Sequence, residues 1–248
     1  MPARATRSAA DARSTDAAPA TTTRTVERAL DLLEAAAVAP DGLTLTEIAG
    51  RTGLSASTAS RLLATLQAHW FVARTADQRF RSGPRLRQLA VGAMRVDPLY
   101  ELAGPHLAAL AAETRETANV GVALDADRVL YLRQHAGPQF VRVAGWTGRS
   151  IPRRGTALGA ALAGEAGEGG FVVRRSAVEP DVVSIAAPIR GDGGAIVGAL
   201  SVLAPSYRTT RARERAHGRR VAAHARELSE RVRAGGATMI DNSGEEVA

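Results

Sequence analysis

Cysteine is absent from the 248-residue sequence, which excludes disulfides and thiolate metal sites and suits a reducing compartment. Lysine is absent as well, so all 32 basic residues are arginine. With so much alanine beside it, this is the coding bias of a GC-rich genome, and the choice of cation carries little functional information. Aromatic residues make up only 4%, although 45% of residues are apolar and a sizeable aliphatic core is possible. No apolar run approaches the length of a membrane span. The first residues lack the apolar core of a signal peptide, so a cytoplasmic protein is expected.

Enzyme signatures are missing too. The five histidines, His69, His106, His135, His217 and His224, are scattered, and no pair shows metal-ligand spacing beside a carboxylate. His217 and His224 lie two turns apart on a basic helix and are expected to face solvent. There is no Gly-x-Ser-x-Gly elbow. No catalytic residue, metal or cofactor is therefore expected. An enzyme carrying a DNA-binding module is the rival reading, and turnover of esters and sugars, expected to be nil, separates the two.

What the chain does contain is a net charge of +7, which suits a nucleic-acid partner, although much of the excess lies within residues 208–233. Residues 43–66 organise the rest. Thr44 and Glu47 make a capping box for one short helix, with Leu45, Ile48 and Ala49 on its apolar face. Gly53 supplies the left-handed residue that ends it, and Leu54 plugs the corner. Ser55 caps a second helix with apolar Ala59, Leu62, Leu63 and Leu66. Its other face carries Ser57, Thr58, Ser60 and Arg61. Small hydroxyls and an arginine on these first turns suit a recognition helix in the major groove. An ordinary helical hairpin with a polar face is the alternative.

The flanks sharpen this. Residues 1–23 have no apolar period and read as a disordered tail, in which Arg4, Arg7 and Arg13 are candidates for weak phosphate contacts. A helix capped by Thr25 runs to about Val38, with Val26, Ala29, Leu30, Leu33 and Ala37 as its stripe. After the recognition helix, Phe71-Val72 and Arg79-Phe80-Arg81 form a hairpin about residues 75–78. This is a wing whose Arg74, Arg79 and Arg81 lie beside the backbone or the minor groove. Candidate DNA-binding residues are thus Thr44, Thr46, Ser55, Ser57, Thr58, Ser60, Arg61, Arg74, Arg79 and Arg81.

Residues 85–96 read as a linker helix ended by Pro98, and residues 99–115 as a further helix with Leu102, Leu107 and Leu110. Strands follow at 118–124, 128–134 and 139–144. A short Ala- and Leu-rich helix ends near Ala163, and a short strand is expected at 170–174. Clear strands at 183–189 and 195–203 meet at a turn, Asp192-Gly193-Gly194. A basic helix at 211–233 buries Val221, Ala225, Leu228 and Val232, its arginines forming a solvated face, and a tail starts at Gly235.

This order and spacing resemble the IclR-type transcription regulators. The marks are TVERALDLL, LTEIAGRTGLSASTASRLLATL, FRSGPRL, TANVGVAL, RRGTALGAALA and SIAAPIRGDGGAIVGALSV, spread over residues 25–233. The resemblance implies an α+β fold. An N-terminal winged helix-turn-helix (24–83) and a linker helix (84–97) precede a C-terminal GAF-like α/β effector-binding domain (98–234). It implies double-stranded DNA as partner, at a pseudo-palindromic operator, and a homodimer or dimer of dimers. It also implies a small-molecule effector, here expected to be anionic. Carried over, the pocket falls on Thr156, Ala157, Leu158 and Gly159, with Val182, Ser184 and Ser201 as far wall and Arg174 as partner for an anion. Ser184 and Ser201 also read as satisfied core hydroxyls. The loop at residues 164–170 is shorter than the family's helical segment. The alternative is thus a ligand-independent DNA-binding dimer with a purely structural C-terminal domain.

Overall fold

The computed structural model describes residues 23–139, 145–235, 239–240 and 246–247. The expected tail with Arg4, Arg7 and Arg13 lies outside these residues, as does most of the strand expected at 139–144. The chain divides into two compact units, one ending at Gly92 and the other starting at Ala93.

The N-terminal unit contains helices α1 (Arg24–Ala37), α2 (Leu45–Thr52) and α3 (Ala56–Ala68), then a hairpin of β1 (Val72–Arg74) and β2 (Phe80–Ser82). Leu43 pairs with Phe80 through two backbone hydrogen bonds, so the loop before α2 lies against β2 as a third segment of the wing. Leu32, Ile48 and Leu63 are wholly buried at its centre, each contributing roughly 1.5–3 kcal/mol. Two details of α1 differ from expectation. Its N-cap is Thr23, not Thr25, and the Thr23 side chain makes no capping bond. Its buried face is Leu32 and Ala36, whereas Val26 and Leu30 are more than half exposed. The helix is apolar on too much of its circumference for spacing alone to select the core face.

Helix α4 (Pro84–Val96) follows with no buried residue of its own. The C-terminal unit then begins with α5 (Pro98–Thr114), capped by Asp97, whose side chain accepts from the Tyr100 amide at 3.0 Å. Its sheet is antiparallel, in the order β5-β4-β3-β8-β7-β6. The strands are β3 (Thr117–Ala123), β4 (Arg128–His135), β5 (Ser150–Pro152), β6 (Val172–Arg175), β7 (Val182–Arg190) and β8 (Ile196–Pro205). The sequence reading missed β5, a three-residue edge strand too short to show a period. β7 and β8 meet at the expected Asp192-Gly193-Gly194 turn, where Gly193 and Gly194 have positive φ. Helices α6 (Ala157–Leu162) and α7 (Arg211–Ala234) complete the unit. Where a tail was expected, the described backbone pairs β9 (Met239–Ile240) with β10 (Glu246–Val247).

Strand alternation divides the core in two. Ala118, Val120, Leu200 and Val202 face α5 and α7, against Leu107, Leu110, Val221 and Leu228. Val129, Tyr131, Ala199 and Leu203 face α6, against Leu158 and Leu162. Helix α6 lies so close to the preceding loop that a β-carbon on Gly159 would sit 1.7 Å from the Arg153 carbonyl oxygen. Gly159→Ala must push the backbone apart. A loss of about 2–3 kcal/mol is expected by thermal or urea denaturation.

His217 is buried on α7 rather than facing solvent. Burial pushes it below the ordinary histidine value, against the opposing pull of Glu116 and with help from Arg220 and Arg213. The folded chain therefore takes up this proton at lower pH than the unfolded chain does, and stability falls as pH drops below about 6.5. His106 shifts in the same direction through burial. Melting curves at pH 7.5 and 5.5 should show the lower midpoint at pH 5.5, and His217→Gln should narrow the gap.

Candidate DNA-binding face and effector cavity

The first site is a helix surface fixed by its caps. Thr44 accepts from the Glu47 amide, and Glu47 accepts from the Thr44 amide at 2.8 Å, so the capping box is complete. These bonds, with Thr44 itself and Arg79 and Arg51 beside it, hold the Glu47 carboxyl below its ordinary value. Gly53 takes the left-handed conformation with φ 65° and turns the chain into α3. Ser55 caps α3 by accepting from the Thr58 amide, and its hydroxyl donates to Thr58 Oγ1 at 2.9 Å. Thr44, Ser55 and Thr58 are thus occupied in holding the two helices. Ser57, Ser60 and Arg61 remain exposed on the outer face of α3, opposite the buried Ala59 and Leu63. Thr46 is exposed on the first turn of α2.

The wing arginines behave differently from one another. Arg81 is exposed, and Arg74 lies over the Phe80 ring with its guanidinium 5.3 Å from the ring centre. Arg79 is turned inward. It donates to the Gly42 carbonyl at 3.0 Å and pairs with Glu47 at 3.2 Å and Asp77 at 3.5 Å. Arg79 therefore ties the wing to the helix-turn-helix.

The second site lies between the sheet and α6. Thr156, Ala157, Leu158, Val182 and Ser184 line one cavity, as expected, together with Tyr131, Trp146, Ile151, Leu203 and loop residues Ala177, Val178 and Glu179. The space within it is about 20 Å³, room for little more than one water. Burial and the nearby Glu179 carboxylate both push the Tyr131 phenol far above its ordinary value. The Tyr131 and Trp146 rings lie 5.7 Å apart, and Arg149 stacks on the other ring at 4.2 Å from the Trp146 centre. The buried Trp146 Nε1 has no partner among the described residues.

Three of the expected pocket residues lie elsewhere. Gly159 and Arg174 line a separate, open groove with Arg153, Arg154, Asp127 and Glu165. The Arg174 guanidinium lies there beside Glu165 at 3.8 Å, so among the described residues no arginine lines the cavity and Arg174, the expected anion partner, is not on its wall. Ser201 lies wholly buried beneath the cavity, opposite Asn119 in the β3–β8 register. Neither the Ser201 hydroxyl nor the Asn119 amide has a partner among the described residues. The Gly159 amide is taken by Thr156 Oγ1 at 3.1 Å. Tyr131, Trp146 and Glu179 escaped the sequence reading. In a chain with two tryptophans and three tyrosines, a tyrosine alternating with core residues in RVLYLRQ was the available signal.

Both units match family models. Residues 25–76 match the IclR helix-turn-helix domain, and residues 91–169 and 164–230 match the C-terminal domain of bacterial transcriptional regulators of the IclR type. The chain belongs to the IclR family. This is a family of transcription regulators, not of enzymes. The chain is 37% identical to the HTH-type transcriptional regulator BhcR of Paracoccus denitrificans over 140 residues, which are 56% of this chain and 50% of that protein. It is 35% identical to an HTH-type transcriptional regulator of Mycobacterium tuberculosis over 138 residues, 55% of this chain and 52% of the other. The chain thus spans about half the length of these curated relatives. The same IclR fold is seen in a regulator from Alicyclobacillus acidocaldarius, with TM-score 0.74 and 24% identity over 84% of this chain and 98% of that one. It recurs in an IclR homolog of Microbacterium hydrocarbonoxydans in complex with 4-hydroxybenzoate, with TM-score 0.68 and 22% identity over 84% of this chain and 99% of that one.

Proposed function

We propose that this IclR-family chain is a sequence-specific DNA-binding transcription regulator, acting as a repressor, whose operator binding changes when a small molecule occupies the cavity beneath α6. The observation that carries the DNA reading is the outer face of α3, where Ser57, Ser60 and Arg61 are exposed on a helix capped at Ser55. A homodimer, or a dimer of dimers, places two such helices on a pseudo-palindromic operator. The exposed Val26 and Leu30 of α1 and Leu89 and Val91 of α4 support such an assembly, because association would cover them. A ligand that prefers one arrangement of the C-terminal units shifts the population competent for the operator.

The cavity wall favours a different effector from the anion expected above. Tyr131, Trp146, Leu158 and Leu203 suit a flat apolar or aromatic body, and the Trp146 Nε1–H suits an acceptor on it. Glu179 on the rim would repel an anion and accept from a hydroxyl. The 4-hydroxybenzoate held by the Microbacterium homolog is a phenol that also carries a carboxylate, so phenols with and without a carboxylate make a sensible first series.

The test is a mobility shift on DNA just upstream of this protein's own gene, over a salt series. Sequence-dependent retardation that survives moderate salt supports the reading, whereas retardation of any DNA, lost steeply with salt, leaves only arginines meeting phosphate. The small volume of the cavity also favours a second reading, a ligand-independent dimer. A thermal-shift series with phenols and small carboxylates separates the two, since a ligand of the folded state raises the melting point.

A further inference from the structure

Histidines far apart in sequence meet between α5 and α7, on the face of the sheet opposite the cavity. His106 of α5 and His224 of α7 approach with their Nδ1 atoms 3.1 Å apart and their rings nearly perpendicular, at 79°. Glu227, one helical turn beyond His224, joins them, and one ligand atom from each of the three lies within 4.8 Å of the others. We propose that His106, His224 and Glu227 form a binding site for a divalent transition-metal ion of the zinc type, which staples α5 to α7.

The geometry suits such an ion. Two nitrogens bound tetrahedrally at zinc distances lie about 3.3 Å apart, so the observed separation needs almost no adjustment. The orientation of His224 is fixed from behind. Its Nε2–H donates to Glu113 at 3.3 Å, which leaves the Nδ1 lone pair directed at His106. Glu113 is itself held by Arg220 at 3.6 Å. A carboxylate behind a ligating imidazole is the usual support of a metal-bound histidine. A plain N–H···N bond would account for the two rings but would give Glu227 no part. Glu227 is exposed, so water has access to a fourth coordination position. Two imidazoles and a carboxylate suit zinc, cobalt, nickel or copper better than magnesium or calcium, which prefer oxygen. The spacing escaped notice in the sequence because His224 and Glu227 sit on a helix otherwise dense in arginine, while His106 is separated from them by the whole sheet.

The test uses the full chain, stripped with a chelator and dialysed against zinc alone. One equivalent of zinc per chain is expected, with a rise in melting temperature. Cobalt in its place should give the intense visible bands of a tetrahedral site. His224→Gln, at a partly exposed position that tolerates an amide, should abolish the equivalent. Glu227→Gln should weaken binding at least about tenfold, and His69→Gln on the other unit should leave it unchanged. No zinc bound at micromolar concentration would overturn the proposal. So would a stoichiometry that His224→Gln does not alter.

Discussion

Arg208→Ala is expected to lower the melting temperature of the C-terminal unit by about 10 °C, from the loss of roughly 3–5 kcal/mol. Glu116 is only 6% exposed at the junction of α5 and β3. Its carboxylate is held by a fork: Arg208 Nε donates to Oε1 at 2.7 Å and Nη2 to Oε2 at 2.6 Å. These bonds raise the Arg208 guanidinium further above its already high value, against the desolvation that opposes charge. Removing the arginine leaves a buried carboxylate without that fork, and the penalty of the stranded charge exceeds whatever the pair contributed. Arg208→Met with Glu116→Leu removes both charges and should recover most of the loss. Differential scanning calorimetry on the two variants decides the matter. A drop below about 2 °C for Arg208→Ala would mean that water reaches Glu116 once the arginine is gone.

The second large effect is on DNA. Arg61→Ala should weaken operator binding by about 10- to 100-fold, the worth of one bidentate contact to a guanine edge, while binding to scrambled DNA changes far less. An equal loss on both would reduce Arg61 to a phosphate contact. The contrast with Arg79 is informative, although both are arginines of the same unit. Arg61 stands exposed on α3, whereas Arg79 spends its guanidinium on Gly42, Glu47 and Asp77. Arg79→Ala should therefore act mainly by loosening the wing. Fluorescence anisotropy with operator and scrambled duplexes at fixed salt measures both variants.

The helix-turn-helix was legible because its determinants are local. Thr44, Glu47, Gly53 and Ser55 act on neighbours three or four residues away, and each does in the structure what its position in the chain dictates. The antiparallel β7–β8 pair was legible for the same reason, from two apolar runs and one glycine turn. What escaped depends on distant partners. Arg174 was assigned to the cavity from a resemblance that crosses a shortened loop, and Glu165, within that loop, is the residue that draws its guanidinium away. Trp146 becomes a cavity wall only when β4 brings Tyr131 beside it. The face of α1 could not be chosen because Val26 and Leu30 are as apolar as the buried Leu32.

If the cavity takes the proposed effector, the loop between β6 and β7 would give it a clock. It contributes Ala177, Val178 and Glu179 to a space that holds about 20 Å³, and it is bracketed by two non-glycine residues with left-handed backbone, Ser176 at φ 49° and Asp181 at φ 58°. An aromatic effector of the kind proposed above would not fit that space as it stands. It would enter once the loop swings out, with those two left-handed positions as pivots. Association would then proceed at the frequency of opening rather than of encounter, and the apparent affinity would be reduced by the fraction of time spent open. Departure would be gated in the same way. A receptor of that kind would average over brief swings in concentration and answer to a supply that lasts.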